Sequence, residues 1–417
     1  MAQTLSTYDA LLKEFYEGTA RETLNNDVPL FKELDESDRA WSGRRVIFPF
    51  HTARNSGIGA RAENGTLPTA GNQGTLQSVI SSTYNYARIQ LTGQVLHSGP
   101  NVFAEALGFE MEGAMNDLKV DCARQTWGMG DGRIAQVGAD GAASSQISLY
   151  NRFAEPGQPG ARYLSVGQSI DLGSLADPDQ DGASESISLV SISQDAGTTV
   201  DTVTTVAANT TSQCDTFVFN AGAGGAGVEM MGVQALVDVY TQANMWGSNA
   251  FYGSAVQGIN RAANPSFDAL VLGNGGVKRV LDGILIQTAL DRIHEETGHE
   301  ADLIMGHHTV VRKFLDSVSS DRRYGSPVFD AGFDKLSYNG IPIRRDRLAP
   351  YNSLLVMKKE ALKMYTLQDL EWAADDGNIL KPVADTDAYN AYLRIYRNLG
   401  LDKNPKLACM IRDIDTD

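Results

Sequence analysis

Apolar and polar residues are arranged along the chain in stretches that predict a succession of unlike elements. Leu5, Ala10, Leu11, Phe15 and Ala20 fall at loosely helical spacing with Glu and Lys between them. This predicts an amphipathic arm over residues 3–24 whose apolar face needs a partner. Val46–Phe50 and Tyr84–Leu91 read as strands, expected to pair as the stem of a long hairpin. Residues 51–82 between them are rich in Gly, Asn, Thr and Ser and too poor in large apolar side chains to fold alone. A hairpin loop of that length is expected to be a binding element, the alternative being a plain surface loop.

Beyond Pro100, Phe103, Leu107, Met111, Ala114, Leu118 and Cys122 recur every three or four residues, while Glu105, Glu112, Asp117 and Lys119 lie off that stripe. The spacing predicts one helix over 101–126, capped by Asn101, about 38 Å long and ended by the glycines of Trp127–Gly132. Residues 139–222 then hold short alternating runs at Arg162–Val166, Gln168–Leu172, Ser186–Ile192, Thr198–Val206 and Asp215–Phe219. With Gly, Asp and Asn between them, they predict a self-contained small antiparallel β-barrel or β-sandwich.

Helical spacing returns at Val233–Ala243, Ile284–Thr297 and Thr309–Ser319, with Thr309 as an N-cap. A buried strand is expected at Ala301–Met305, a turn at Tyr338–Gly340 and a strand at Ile341–Arg345, together one compact α/β unit. Tyr389–Ile414 returns to strands broken at Pro405. The fold class is α+β.

The 417 residues have room for two or three domains or one elongated subunit, and the 42% hydrophobic and 21% charged content excludes wholesale disorder. A net charge of -16 argues against nucleic acid as a direct ligand. It suits a protein that stays apart from its own copies until specific contacts form. Cys122, Cys214 and Cys409 show no CxxC spacing, and Cys122 and Cys409 are expected as core thiols without disulfides. Residues 1–25 show no signal peptide, and no run reaches the ~20 apolar residues of a membrane span, so synthesis in the cytosol is expected.

Three stretches carry the outline of chemistry. Gly222–Gly227 matches GxGxxG, but it follows a run of hairpins instead of opening a βαβ unit, and no acidic residue ends a second strand about 20 positions on. It reads as a joint. His294 and His299 stand five apart with Gly298 between them, whereas a helical zinc pair needs four; neighbouring His307 and His308 add no ligand geometry. Asp177, Asp179 and Asp181 match the opening half of a calcium loop, but Ser188 stands where the bidentate Glu belongs. They are weak metal candidates, and an acidic hairpin tip is the favoured reading. Asp375-Asp376 sits in a Gly-rich turn. No catalytic residue and no cofactor is expected.

The order of these segments resembles the major capsid proteins of tailed double-stranded DNA bacteriophages, the Hong Kong 97-type shell fold. The residues that carry the likeness are Arg45–Pro49, Arg54–Glu63, Gly258–Arg261, Asn264-Pro265, Ala289–Met305, Gly340–Ile343 and Arg345–Arg347. The resemblance implies an N-terminal arm (1–42), an E-loop hairpin (43–97) and the spine helix of a P domain (98–138). An inserted β domain (139–222), a P-domain connection (223–267), an α/β A domain (268–370) and P-domain return strands (371–417) would follow. In the founding member an E-loop lysine forms an isopeptide bond; no lysine occurs between 43 and 97, so that chemistry is not carried over. The short arm points to scaffolding by a separate protein.

Function is therefore expected to lie in surfaces. The implied protein assembles with itself as hexamers and pentamers into an icosahedral head shell around double-stranded DNA, without sequence-specific binding and without a membrane. Portal, scaffolding and decoration proteins are the implied partners, and the virion, after assembly in host cytoplasm, is the implied location. Ile58, Leu67, Leu76, Arg54 and Arg61 are the expected intersubunit contacts. A shell of an encapsulin-like bacterial nanocompartment is the alternative, and an enzyme the third class.

Overall fold

The computed structural model describes residues 29–94, 100–137, 146–151, 160–173, 187–193, 201–205, 217–222, 227–239, 255–321, 336–374 and 377–416. Along the chain run helix α1 (Pro29–Glu33) and strands β1 (Arg45–Ala53), β2 (Gly74–Ser81) and β3 (Thr83–Thr92). Helix α2 (Pro100–Thr126) follows, then β4 (Arg133–Val137), β5 (Gln146–Asn151), β6 (Ser169–Gly173), β7 (Ile187–Ser193), β8 (Asp201–Thr205) and β9 (Phe217–Asn220). After α3 (Val233–Leu236) come β10 (Ala255–Val256), β11 (Ile259–Asn260), β12 (Leu270–Leu272), α4 (Gly283–Thr297), β13 (Leu303–Gly306) and α5 (His308–Asp321). The last strands are β14 (Ser337–Tyr338), β15 (Ile341–Arg345), β16 (Leu354–Met357), β17 (Leu362–Trp372), β18 (Lys381–Pro382), β19 (Ala388–Leu401) and β20 (Ala408–Ile411).

Two sheets share one large core. In the first, β19 pairs antiparallel with β3, β17 and β18. The second runs β12-β20-β16-β13-β15-β14, with β13 and β15 parallel. Leu107, Met111, Met115, Leu118 and Cys122 form the buried stripe of α2 and pack into the core that also takes Ile89, Leu91, Leu393 and Ile395 of the first sheet. Side chains of this size each contribute about 1.5–3 kcal/mol on burial. The second sheet sends Leu303, Met305, Leu355 and Met357 into the same core. Its other face carries Ile304, Ile343 and Val356, covered by Ile286 and Ile293 of α4 and Val310 and Phe314 of α5.

Several expectations are corrected here. The stem of the hairpin is β1 with β2, in register Val46↔Ile80 and Phe50↔Leu76, while Tyr84–Leu91 belongs to β3 and pairs with β19. Both β2 and β3 satisfy the strand pattern; a partner 300 residues away decides between them. Asn101 lies within α2, and Lys119, expected off the stripe, is buried. The segment Arg162–Val166 opens as a 3-10 turn (Ala161–Tyr163), and the helix at Val233 lasts only four described residues. Thr309 lies inside α5, and His307 Nδ1 accepts the Thr309 N–H at 3.3 Å in the capping role. Two boundaries also shift: β17 joins the first sheet, whereas β20, placed among the P-domain return strands, sits between β12 and β16 in the second. An all-apolar run such as Ala408–Ile411 fits either sheet by pattern alone.

The inserted module is a closed antiparallel barrel, β4-β5-β8-β7-β6-β9. It begins at Arg133, inside the range given above to the spine. Ile134, Leu149, Ile170, Leu172, Val203 and Val218 fill a core separate from the main one. The chain leaves and returns through one pinned joint, where Gly227 N–H donates to Gly130 O at 2.9 Å and Met230 N–H to Gln125 Oε1 at 3.3 Å. A Cβ on Gly232 would lie 2.4 Å from the Gln125 carbonyl oxygen, so this approach requires glycine.

Candidate assembly surfaces

The β1–β2 hairpin is anchored on one face and bare on the other. Strict alternation buries Val46, Phe48 and Phe50, and Phe48 stacks on Tyr365 at 6.5 Å while Phe50 meets Phe267 edge-on at 4.7 Å. On the opposite face Ile47 is 50% exposed, and on the anchored face Leu76, paired with Phe50 toward the tip, is 36% exposed. The tip between the strands satisfies its own polar groups. Gly57 N–H donates to Asn55 Oδ1 at 2.7 Å and Gly65 N–H to Ala62 O at 2.8 Å, with Asn64 at φ 61. Nothing covers its apolar residues: Ile58 is 70% and Leu67 82% exposed.

Of the expected contact residues, Ile58 and Leu67 thus share the tip and Leu76 lies on the stem. Arg54 is exposed at the base. Arg61 is exposed too, but its guanidinium donates to Thr66 O and Ala60 O, both at 2.9 Å. It shapes the tip. Where the stem runs into the tip, Pro49–Arg54 line a cleft of about 420 Å³ whose other wall is Ser266, Glu296, Asp402, Lys403, Asn404 and Lys406.

The start of the chain's described part docks on its own subunit. Leu30, Phe31 and Leu34 are buried, Glu36 bridges to Met364 beside β17, and Glu33 pairs with Lys359 at 2.6 Å. Arg39 Nε reaches Asp402 Oδ1 at 2.6 Å, and the Tyr365 hydroxyl donates to the same oxygen at 2.9 Å. Partial burial opposes ionisation of Asp402, but Arg39 and Tyr365 overcome it and hold the carboxyl below its ordinary value. The arm stretch 3–24 lies outside the described residues.

A second surface escaped the sequence reading. The outward face of the first sheet carries Tyr84 and Tyr86 of β3, 43% and 55% exposed, against Tyr396 of β19. Tyr84 meets Tyr396 edge-on at 4.9 Å, and the Tyr86 and Tyr396 hydroxyls lie 3.2 Å apart. That hydrogen bond, with burial, pushes the Tyr86 phenol up to about 12. The signal was the spacing of two between Tyr84 and Tyr86, legible only once β19 is known as their neighbour.

The stretches with an outline of chemistry are dispersed. Gly298 at φ 71 ends α4, leaving His294 and His299 exposed on either side. Among the described residues no three His, Cys, Asp or Glu side chains are gathered as a metal site, and no helix is long and apolar enough to cross a membrane. Asp177, Asp179, Asp181, Asp375, Asp376 and Cys214 lie outside the described residues. Cys122 and Cys409 are buried free thiols.

No family model and no curated protein matches the sequence. Solved structures do. The capsid asymmetric unit of cyanophage A-1(L) superposes over 93% of this chain and 93% of its own, at 11% identity and a TM-score of 0.54. The chain has the Hong Kong 97-type phage capsid fold. A structure from Mycobacterium phage Bobi matches over all of both chains at 10% identity and a TM-score of 0.42. The SrpI encapsulin of Synechococcus elongatus PCC 7942 matches over 35% of this chain and 53% of its own, at 10% identity and a TM-score of 0.27.

Proposed function

We propose that this protein is a major capsid protein of a tailed double-stranded DNA bacteriophage, self-assembling as hexamers and pentamers into the head shell. The observation that carries the reading is a capsid fold whose hairpin leaves Ile58, Leu67, Ile47 and Leu76 uncovered within one subunit. A monomer gains nothing from such residues, whereas a lattice buries them on a neighbour at roughly 25 cal/mol per Å² before association costs. Many modest heterologous contacts then close a curved shell.

In this reading Ile58, Leu67, Leu76, Arg54 and Arg61 lie at intersubunit contacts, Arg61 by holding the tip in shape. The arm, hairpin, spine, barrel and α/β unit keep the division given above, with the barrel starting at Arg133 and β17 and β20 exchanged between sheets. DNA is enclosed by confinement, without sequence-specific contact. Portal, scaffolding and decoration proteins complete the head, the location is the virion after assembly in host cytoplasm, and the role requires no catalysis. Expression of the chain alone, followed by electron microscopy, tests this through the presence of closed shells. A nanocompartment differs in enclosing a protein cargo.

A further inference from the structure

The edge of the second sheet carries opposite charge at its two ends. At the carboxyl end of the parallel pair β13–β15, Arg345 closes β15 and His308 opens α5. Arg312 follows His308 by four residues and shares its helix face. Arg162 arrives from the barrel and donates Nη1 to Arg347 O at 3.1 Å. His308, Arg312, Arg345 and Arg162 are all exposed. The proton affinity of His308 is lowered, first by burial and then by Arg312, Arg162 and Arg345. Beside it, His307 is pushed down to about 3 by burial, then by His308, Arg162 and Arg312. Among the described residues, the charges that lower the two histidines come from Arg162, Arg312 and Arg345, with His308 also acting on His307.

At the amino end of β15 the sign reverses. Tyr338 pairs with Ile341 there and reaches Gln287 of α4 through its hydroxyl at 3.3 Å. Its phenol is raised by burial and then by Asp291 and Asp282. Both carboxylates are exposed: Asp282 caps α4, and Asp291 accepts from Gln287 Nε2 at 2.7 Å. The five residues of β15 separate its two ends by about 15 Å. On a chain of net charge -16, a gathering of arginines is matched best by the carboxylates of another copy.

We infer that Arg162 and Arg312 of the cationic patch dock the acidic patch of Asp282 and Asp291 on a second copy of this chain. The inference rests on the shell reading and assigns one of its contacts. The pairing selects register and partner orientation, since a contact out of register sets like charges together.

The test uses the full chain and two charge reversals at exposed positions, Arg312→Glu and Asp291→Arg, with circular dichroism confirming an unchanged fold. Sedimentation velocity at low salt should show each single variant self-associating about tenfold or more weakly than wild type. The double variant should recover wild-type association. Unchanged association in Arg312→Glu, no recovery in the double variant, or a wild type that stays monomeric would each overturn the pairing. Electron microscopy of the same samples separates the two readings. Closed shells of unchanged yield from Arg312→Glu sink the pairing alone, while charge-dependent association that never closes a shell sinks the capsid function alone.

Discussion

Trp127 Nε1 donates to Asp346 Oδ2 at 2.8 Å, tying the residue after α2 to the residue after β15 across 219 positions of sequence. Trp127 is 1% exposed and Asp346 equally buried. The bond joins the two sheet systems at the point where the barrel departs. Trp127→Phe keeps most of the ring and removes one of the donors to this buried carboxylate. It should destabilise the subunit by about 1–3 kcal/mol, read from the urea midpoint of unfolding. An unchanged midpoint would show that the link carries no stability.

Acidification should weaken the fold from near pH 6.5 downward because of His307. Its side chain is fully buried against Tyr351 and His308, and its folded value of about 3 lies below the ordinary 6.5. The native state binds fewer protons than the unfolded state in that window. Stability is therefore complete above 6.5 and is lost as pH falls, by at most about 1.4 kcal/mol per unit. His307→Asn keeps an acceptor for the Thr309 N–H but does not titrate. The stability difference between about pH 7 and about pH 5 should shrink in this variant, and an equal difference in both proteins would rule out His307.

Leu67→Asp and Ile58→Asp place a charge on tip residues that touch no core of their own subunit. Thermal unfolding of the monomer should move little, while shell formation is lost because the charge must be buried on a neighbour. Full shell yield from both variants would remove the tip from the contact.

Cohesion between subunits should be non-covalent, because the hairpin offers no lysine and the described cysteines are buried and free. Particles boiled in denaturant with reductant should run as one band near 45.0 kDa. A ladder of oligomers would point to an amine elsewhere, such as Lys381.

What the sequence made legible was chiefly local. Asn339-Gly340 takes φ 50 and 82, the left-handed pair a two-residue hairpin demands, and Gly298 stops α4 where the pattern stops. The apolar stripe of α2 and the barrel strands were readable for the same reason, since period and turn residues lie within a few positions of each other. Partner choice was not. Val46–Phe50 fits Tyr84–Leu91 as well as it fits β2, and only β19 removes the ambiguity by taking β3. The exposed tip residues were readable as apolar side chains in a stretch without a core. The tyrosine face and the two-signed edge were not, because each is assembled from elements far apart in the chain.

The central claim is that these surfaces close a shell. The most direct measurement is electron microscopy of the wild-type chain purified after expression alone or with a separate scaffolding protein. Closed hollow particles built of hexameric and pentameric units, with the β1–β2 hairpin tip lying on a neighbouring subunit, are the predicted result. Monodisperse subunits that form no shell under either condition, or particles whose hairpin tips contact no neighbour, would contradict it.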